Sequence, residues 1–386
     1  MVPEGWLIST LDNFIDIKHG FAFKSDYFRS EGEYVLTTPG HFFEVGGFRD
    51  QGNKTKYYVG EIPKGYILKK GDVLLAMTEQ TAGLLGSAIY VPESGKYLHN
   101  QRLGLVLLRD HERICKEYIY LIYNSPTTRK TIAEQASGTK VKHTSPSRLL
   151  GVKVLIPPLS EQKKIVQILS TWDKAIAITE QLIANSQLQK KALMQQLLTS
   201  KERFPEFNEG WKEVYLGDIA KITTGSSNRQ DSQLSGKYTF FDRSEDIRSS
   251  DRYLFDGEAV IVPGEGQDFV PKYFRGKFDL HQRTYAIMNF PTCDGKYLFY
   301  AIHYFRAHFL SQAVGSTVKS LRLPMFQKMK LHLPTLAEQK KIASVLSNAD
   351  QEIELLQQKL SHLKQEKKAL MQQLLTGKRR VKTDAT

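Results

Sequence analysis

Residues able to do covalent or metal chemistry are few in this chain, and their spacing argues against it. Cys115 and Cys293 are the only cysteines, too few and too far apart for a disulfide framework or a four-cysteine zinc site. The ten histidines are scattered, with no pair at metal-ligand spacing. His99 and His281 stand out because they occupy what look like matched positions in the two halves of the chain. No G-x-x-x-x-G-K-[ST] run is present, and Gly264-Glu265-Gly266 is a lone GxG without a strand-to-helix frame, so a surface turn explains it better than a phosphate cradle. The one Pro-Pro lies in Ile156-Pro157-Pro158-Leu159, not in the Asn/Asp-Pro-Pro-aromatic segment of an amino-methyltransferase, and Glu265 and Asp268 have no lysine in nuclease order. We read a non-enzyme, with no metal and no cofactor on this chain. What remains is recognition chemistry: Arg, Lys, Asn and Gln in loops, under a formal net charge of +13 that favours a polyanion, nucleic acid first.

These side chains need a frame, and the frame repeats. Residues 154–201 align without a gap on 331–378, at an offset of 177 with 23 of 48 positions identical. The identities include Glu161-Gln162-Lys163-Lys164-Ile165 with Glu338 to Ile342, and KKALMQQLLT at both far ends. The offset reaches back to Gly138-Thr139-Lys140-Val141-Lys142, which matches Gly315-Ser316-Thr317-Val318-Lys319. A weaker echo pairs Gly5–Gly20 with Gly210–Gly225 at an offset of 205. The ends of the two halves therefore persist while their middles diverge, although His99-Asn100-Gln101-Arg102 and His281-Gln282-Arg283 also look matched.

With 386 residues, 41% hydrophobic, the chain can build more than one packed core. No apolar run approaches a membrane span and the first residues lack a basic-then-apolar leader, which predicts a soluble cytoplasmic protein. Stretches 160–200 and 336–386 hold one aromatic residue, Trp172. The segments between are rich in Gly, Tyr and Phe with short β-branched runs, as expected of mixed α/β domains with several short strands.

The aromatic-poor stretches carry heptads. Ile165, Leu169, Trp172, Ile176, Thr179, Ile183, Ser186, Leu193 and Leu197 form one seam. Ile342, Leu346, Ala349, Ile353, Leu356, Leu360, Leu363, Leu370 and Leu374 form the other, and Lys190 and Lys367 each occupy one seam position. A period of 3.5 asks for a partner helix, so the two pair as a left-handed coiled coil, most easily antiparallel. Each helix of about 38 residues would be roughly 57 Å long at 1.5 Å per residue, a spacer between domains. Ser160 sits where an N-cap is expected, and Ser200-Lys201 and Gly377 mark the far ends. The expected organisation is a first globular domain over 1–155, a helical spacer over 156–201, a second domain over 202–332, a second spacer over 333–378 and a short basic tail over 379–386.

Two dissimilar domains, each followed by a Gly-Ser/Thr turn, a proline-containing strand, Glu-Gln-Lys-Lys and a long helix ending Leu-Met-Gln-Gln-Leu-Leu-Thr, resemble the specificity subunit of Type I restriction-modification systems. The resemblance spans the chain and includes Gly20-Phe21-Ala22-Phe23-Lys24, which looks like the family's early target-domain motif. The second half departs there, reading Gly225-Ser226-Ser227-Asn228-Arg229, so its early loop is expected to differ in conformation. The resemblance implies two target recognition domains, each reading one half of a bipartite asymmetric DNA target, joined by two antiparallel coiled-coil helices about a pseudo-twofold axis. It also implies two methyltransferase subunits docked on the helices, bringing S-adenosylmethionine for adenine methylation, and restriction subunits using ATP and Mg.

Base edges and phosphates are met by Arg, Lys, Asn and Gln on loops. The candidate DNA-binding residues are therefore Lys18, Lys24, Thr78, Glu79, Gln80, Asn100, Gln101, Arg102, Lys140 and Lys142 in the first domain. In the second they are Asn228, Arg229, Gln230, Arg243, Gln267, Lys272, Gln282, Arg283, Lys319 and Arg322. The alternative is a coiled-coil scaffold that recruits other proteins without reading DNA; a stand-alone nuclease is a third reading.

Overall fold

The structure is a computed structural model that describes residues 2–79, 82–138 and 141–382. It divides into two compact units, residues 1–178 with 360–386, and residues 179–359. Each unit combines one β-rich domain with half of each long helix, Leu159–Leu197 and Leu336–Leu375.

In the first unit a four-stranded antiparallel sheet runs in the order Ile15–His19, Leu103–Leu108, Val73–Ala76, Ala88–Tyr90. The central strands read LGLVLL and VLLA, nearly continuous apolar runs because both faces are covered. A second sheet places Tyr34–Thr37 parallel to Tyr97–His99. Helix Lys116–Asn124 packs its Tyr118, Ile119 and Ile122 into a core that also holds Ile165 and Leu169 of one long helix and Met371 and Leu374 of the other.

The second unit repeats this plan with one change. Its strand Lys272–Leu280 pairs with Phe255–Pro263 on one side and with Tyr238–Phe241 on the other, so strands that fall into two sheets in the first unit join here into a single six-stranded sheet. Tyr238–Phe241 runs parallel to Lys272–Leu280, as in the first unit. Its core takes in Met194 and Leu197 of the first helix and Ile342 and Leu346 of the second.

Every heptad position is buried or half-buried. Ile165, Leu169, Leu197, Ile342, Leu346 and Leu374 are buried in the domain cores, whereas Trp172, Ile176, Ile183, Leu193, Ile353, Leu356, Leu360, Leu363 and Leu370 are half-buried along the seam. The two seam lysines are ion-paired. Within the first unit Lys367 reaches Asp173, and within the second Lys190 reaches Asp350, each on the facing helix. Ser186 also donates to Glu352. These contacts run the helices antiparallel, and a polar group at a seam position fixes register at some cost in stability.

The Glu-Gln pair at each helix start is an internal clamp. Glu161 accepts both guanidinium donors of Arg380, at 2.8 and 2.9 Å, and the indole N–H of Trp6 at 2.9 Å. Glu338 accepts Arg203 in the same bidentate way, at 2.9 and 2.7 Å. Gln162 and Gln339 each donate to the carbonyl of the preceding strand-end proline, Pro157 or Pro334, at 2.9 Å, and accept the N–H of Cys115 or Asp294. Arg380 thus anchors the segment expected to be a basic tail. The helix start also corrects the expected cap, because Ser160 lies inside the first turn, while in the second repeat Thr335 Oγ1 accepts the Glu338 N–H. Ser200 and Gly377 end the helices in the left-handed region, at φ 59° and 67°.

Candidate nucleic-acid interface

The region where the divergent middles agree is built from three backbone devices. The first is a close approach: a Cβ on Gly20 would lie 2.0 Å from the Asn100 carbonyl oxygen, and one on Gly225 would lie 1.7 Å from that of Leu280, so neither position admits a side chain. The chain then forms a parallel bridge, Phe21 to Asn100 and Ser227 to His281. Gln101 N donates to Phe21 O, and Gln282 N donates to Ser227 O, at 2.9 and 3.0 Å.

The second device is the turn that follows. Arg102 N donates to Asn100 Oδ1 at 3.0 Å, and Arg283 N donates to His281 Nδ1 at 3.1 Å. Leu103 N and Thr284 N close the two turns onto Asn100 O and His281 O, both at 3.0 Å. The match therefore runs Asn100-Gln101-Arg102 on His281-Gln282-Arg283. His99 does not correspond to His281; its counterpart is Leu280. His99 is wholly buried, donates from Nε2 to Leu103 O, and burial pushes its pKa down to about 4. It is a neutral core residue.

Third comes a short ladder. Met77 N donates to Arg102 O and Gly264 N to Arg283 O, and the next residues pair as Thr78–His143 with Glu79–Lys142, and Glu265–Ser320 with Gly266–Lys319. Gly138 and Gly315 begin the returning hairpins at φ 102° and 124°, where a Cβ would press to 2.2 Å from the Val141 or Val318 carbonyl oxygen.

These devices bring Gln101, Arg102, Thr78 and Lys142 to one region of the first unit, with Gln101, Arg102 and Lys142 exposed. Thr78 and Arg102 border two concavities. One is lined also by His19, Gln101, His143 and Thr144, the other by Arg49, Gln51 and Lys56. Arg49, Gln51 and Lys56 were missed in the sequence, where the polar run Asp50 to Lys56 was the available signal. Lys24 is exposed at the start of a 3-10 turn.

Three candidates prove to be committed internally. Glu79 is buried, and its carboxylate accepts the N–H groups of Leu84 and Leu85 at 2.7 and 2.9 Å. Asn100 is buried as the turn's acceptor. Lys18 donates to Gly65 O at 2.8 Å and lies 4.3 Å over the Tyr66 ring. Gln80 and Lys140 fall outside the described residues.

In the second unit Arg243 and Arg283 share the buried Glu265, Arg243 at 2.8 Å. Burial alone would raise the Glu265 carboxyl; the two guanidinium groups outweigh it and hold the pKa below its ordinary value. Arg229 lies 3.7 Å from the buried Asp242, and Arg252, absent from the sequence candidates, lies 3.5 Å from the buried Asp279. Gln282 donates to Asn228 Oδ1 at 2.8 Å. Lys272 is half-buried and donates to the carbonyls of Ser244 and Glu245. Gln230, Gln267, Lys319 and Arg322 are exposed. The early loop keeps a backbone bridge like that of the first unit, but, as expected, its path differs: the bridge falls at Ser227, two residues after Gly225, and the 3-10 turn Arg229–Asp231 follows at once, whereas Phe21 directly follows Gly20 and the turn Ser25–Tyr27 comes later. The chemistry changes too, with the Phe21–Phe23–Tyr58 ring cluster in one unit and a Ser227–Asp279 hydrogen bond in the other.

Among the described residues no group of three His, Cys, Asp or Glu could hold a metal ion, and no helix is long and apolar enough to cross a membrane. Two β-rich units on a pair of long antiparallel helices, each presenting Gln and Arg from one repeated turn and Lys from the short ladder beside it, define a recognition protein. The family model described as Type I restriction modification DNA specificity domain matches residues 3–185 and 208–365, and the chain belongs to that family. It is accordingly a DNA specificity subunit, a non-catalytic component of a Type I restriction-modification system. The chain is 26% identical to the Type I restriction enzyme MjaVIII specificity subunit of Methanocaldococcus jannaschii, over 99% of this chain and 94% of that one. It is 29% identical to the EcoDI specificity subunit of Escherichia coli, over 43% of this chain and 37% of that one. The fold matches the crystal structure of a Type-I restriction-modification system S subunit from M. genitalium, with TM-score 0.65, 15% identity, 97% of this chain and 96% of that chain covered.

Proposed function

We propose that each unit reads one half of a bipartite, asymmetric duplex target through the exposed side chains around its Gln-Arg turn, while the long helices set the gap between the halves. The observation that carries this reading is the combination of one shared backbone device with different surrounding side chains: Arg49, Gln51 and Lys56 in the first unit, Arg229, Arg243 and Arg252 in the second. Two words can thus be read from one frame. The duplicated helices offer two copies of one surface, which suits docking of two methyltransferase subunits that carry S-adenosylmethionine and methylate adenine. Restriction subunits would add cleavage dependent on ATP and Mg. One solved structure with the same fold, at TM-score 0.59 and 16% identity, concerns complex assembly and conformational transition of the type I R-M system. A cytoplasmic setting, where duplex DNA is at hand, accords with this role. The test is to map N6-methyladenine in the host genome with and without the gene: a split motif that vanishes with the gene supports the reading, and an unchanged methylome refutes it.

A further inference from the structure

The two halves of an asymmetric target differ, so a residue that reads bases has reason to differ between the units, whereas a residue kept in both serves something both half-sites share. This reasoning rests on the DNA-reading role proposed above. In otherwise divergent domains, Gln101-Arg102 and Gln282-Arg283 occupy equivalent turns, and Lys142 and Lys319 equivalent ladder positions.

Folding does not explain their retention. The turns are closed by the preceding residue, and there the side chain changes from Asn100 to His281 while keeping its role as acceptor of the arginine N–H. The Gln and Arg residues are exposed, as are the two lysines, with Gln282 bonded to Asn228 and Arg283 to Glu265 in the second unit only. In the first unit Arg102 and Lys142 have no ion-pair partner among the described residues. Glu79, paired in register with Lys142, has turned its carboxylate inward to the Leu84 and Leu85 amides. In the second unit Arg283 and Arg243 share Glu265, and Lys319 stands beside them. Each ladder therefore carries one exposed arginine and one exposed lysine at equivalent positions, Arg102 with Lys142 and Arg283 with Lys319. Cations repeated at equivalent positions suit a ligand of uniform negative charge.

We infer that Gln101, Arg102 and Lys142, and likewise Gln282, Arg283 and Lys319, are a duplicated grip on the phosphate backbone of duplex DNA, blind to sequence, and that the base reading is left to side chains the units do not share. Glu265 is then a positioning residue: it holds the Arg283 guanidinium in place, and Arg243 restores the charge it cancels.

The test uses the complex assembled with its methyltransferase subunits. Arg102→Gln, Lys142→Gln, Arg283→Gln and Lys319→Gln are compared with the parent for binding to a duplex carrying the mapped target and to an unrelated duplex, across a range of salt. Each variant is expected to weaken both duplexes by a common factor, to reduce the slope of log affinity against log salt by about one, and to leave the methylated motif unchanged. The two lysines are exposed ladder residues, so their variants keep the fold and the comparison stands even if an arginine variant unfolds. A changed base preference at one half-site with an unaltered salt slope would overturn the inference and make the arginine a base reader. Unchanged DNA binding with loss of methyltransferase subunits would overturn it in favour of a protein contact. A parent complex that prefers neither duplex would count against the DNA-reading role itself.

Discussion

Glu338 is almost wholly withdrawn from solvent, with Arg203 as its bidentate partner, and a buried carboxylate stripped of its cation has no comparable way to keep its charge. Glu161 differs in keeping a second donor, the Trp6 indole, where the matching Trp211 N–H finds no partner among the described residues. Arg203→Met should therefore lower the melting temperature by several degrees and Arg380→Met by less, with Arg203→Met/Glu338→Gln recovering part of the loss. Differential scanning calorimetry on the three variants checks the order. His99 gives a pH signature. Its folded pKa is depressed to about 4 by burial, so its contribution is fully present above the unfolded value near 6.5 and is lost as pH falls towards 4. The wholly buried ring makes this worth up to about 3 kcal/mol. His99→Gln, which can still donate to the Leu103 carbonyl, should flatten the decline in stability between pH 6.5 and 4 in urea titrations.

At the scale of elements, the long helices were legible because their signal is local: a seam of period 3.5 appears in any stretch of the sequence, and each seam residue is buried or half-buried. Lys190 and Lys367 read as interruptions of that seam, and only the facing helix reveals them as partners of Asp350 and Asp173. The roles of Glu161 and Glu338 were not legible, since their arginines lie 219 and 135 residues away. The pairing of His99 with His281 failed for the same reason, because strand register over long separations, not neighbouring letters, decides which residues correspond. Inserting four residues after Gln181 tests the helices as spacers. It adds one turn, at most about 6 Å, and puts the Lys190 and Lys367 pins out of step with each other. The mapped motif should keep both half-sites and change its gap by no more than roughly two base pairs at 3.4 Å each. An unaltered gap in an active protein would show that the helices do not set it.

For the molecule as a whole, the duplicated frame predicts stoichiometry. Because each unit carries one copy of the Arg–Glu clamp and one Lys–Asp pin, a partner that fits one helical surface should fit the second. One copy of this chain should bind two methyltransferase subunits, and native mass measurement of the purified assembly reads this directly; saturation at one to one would refute it. The interleaving of the units also sets a timetable for synthesis. The unit that begins with the first residues is completed by Met371, Leu374 and Arg380, while the other needs nothing beyond residue 359. On the ribosome the domain made first must wait some 200 residues for its missing helix, roughly 10 to 40 s at 5–20 residues per second, with the apolar sites for Met371 and Leu374 open to chaperones or to a neighbouring nascent chain. The order of completion is the reverse of the order of translation.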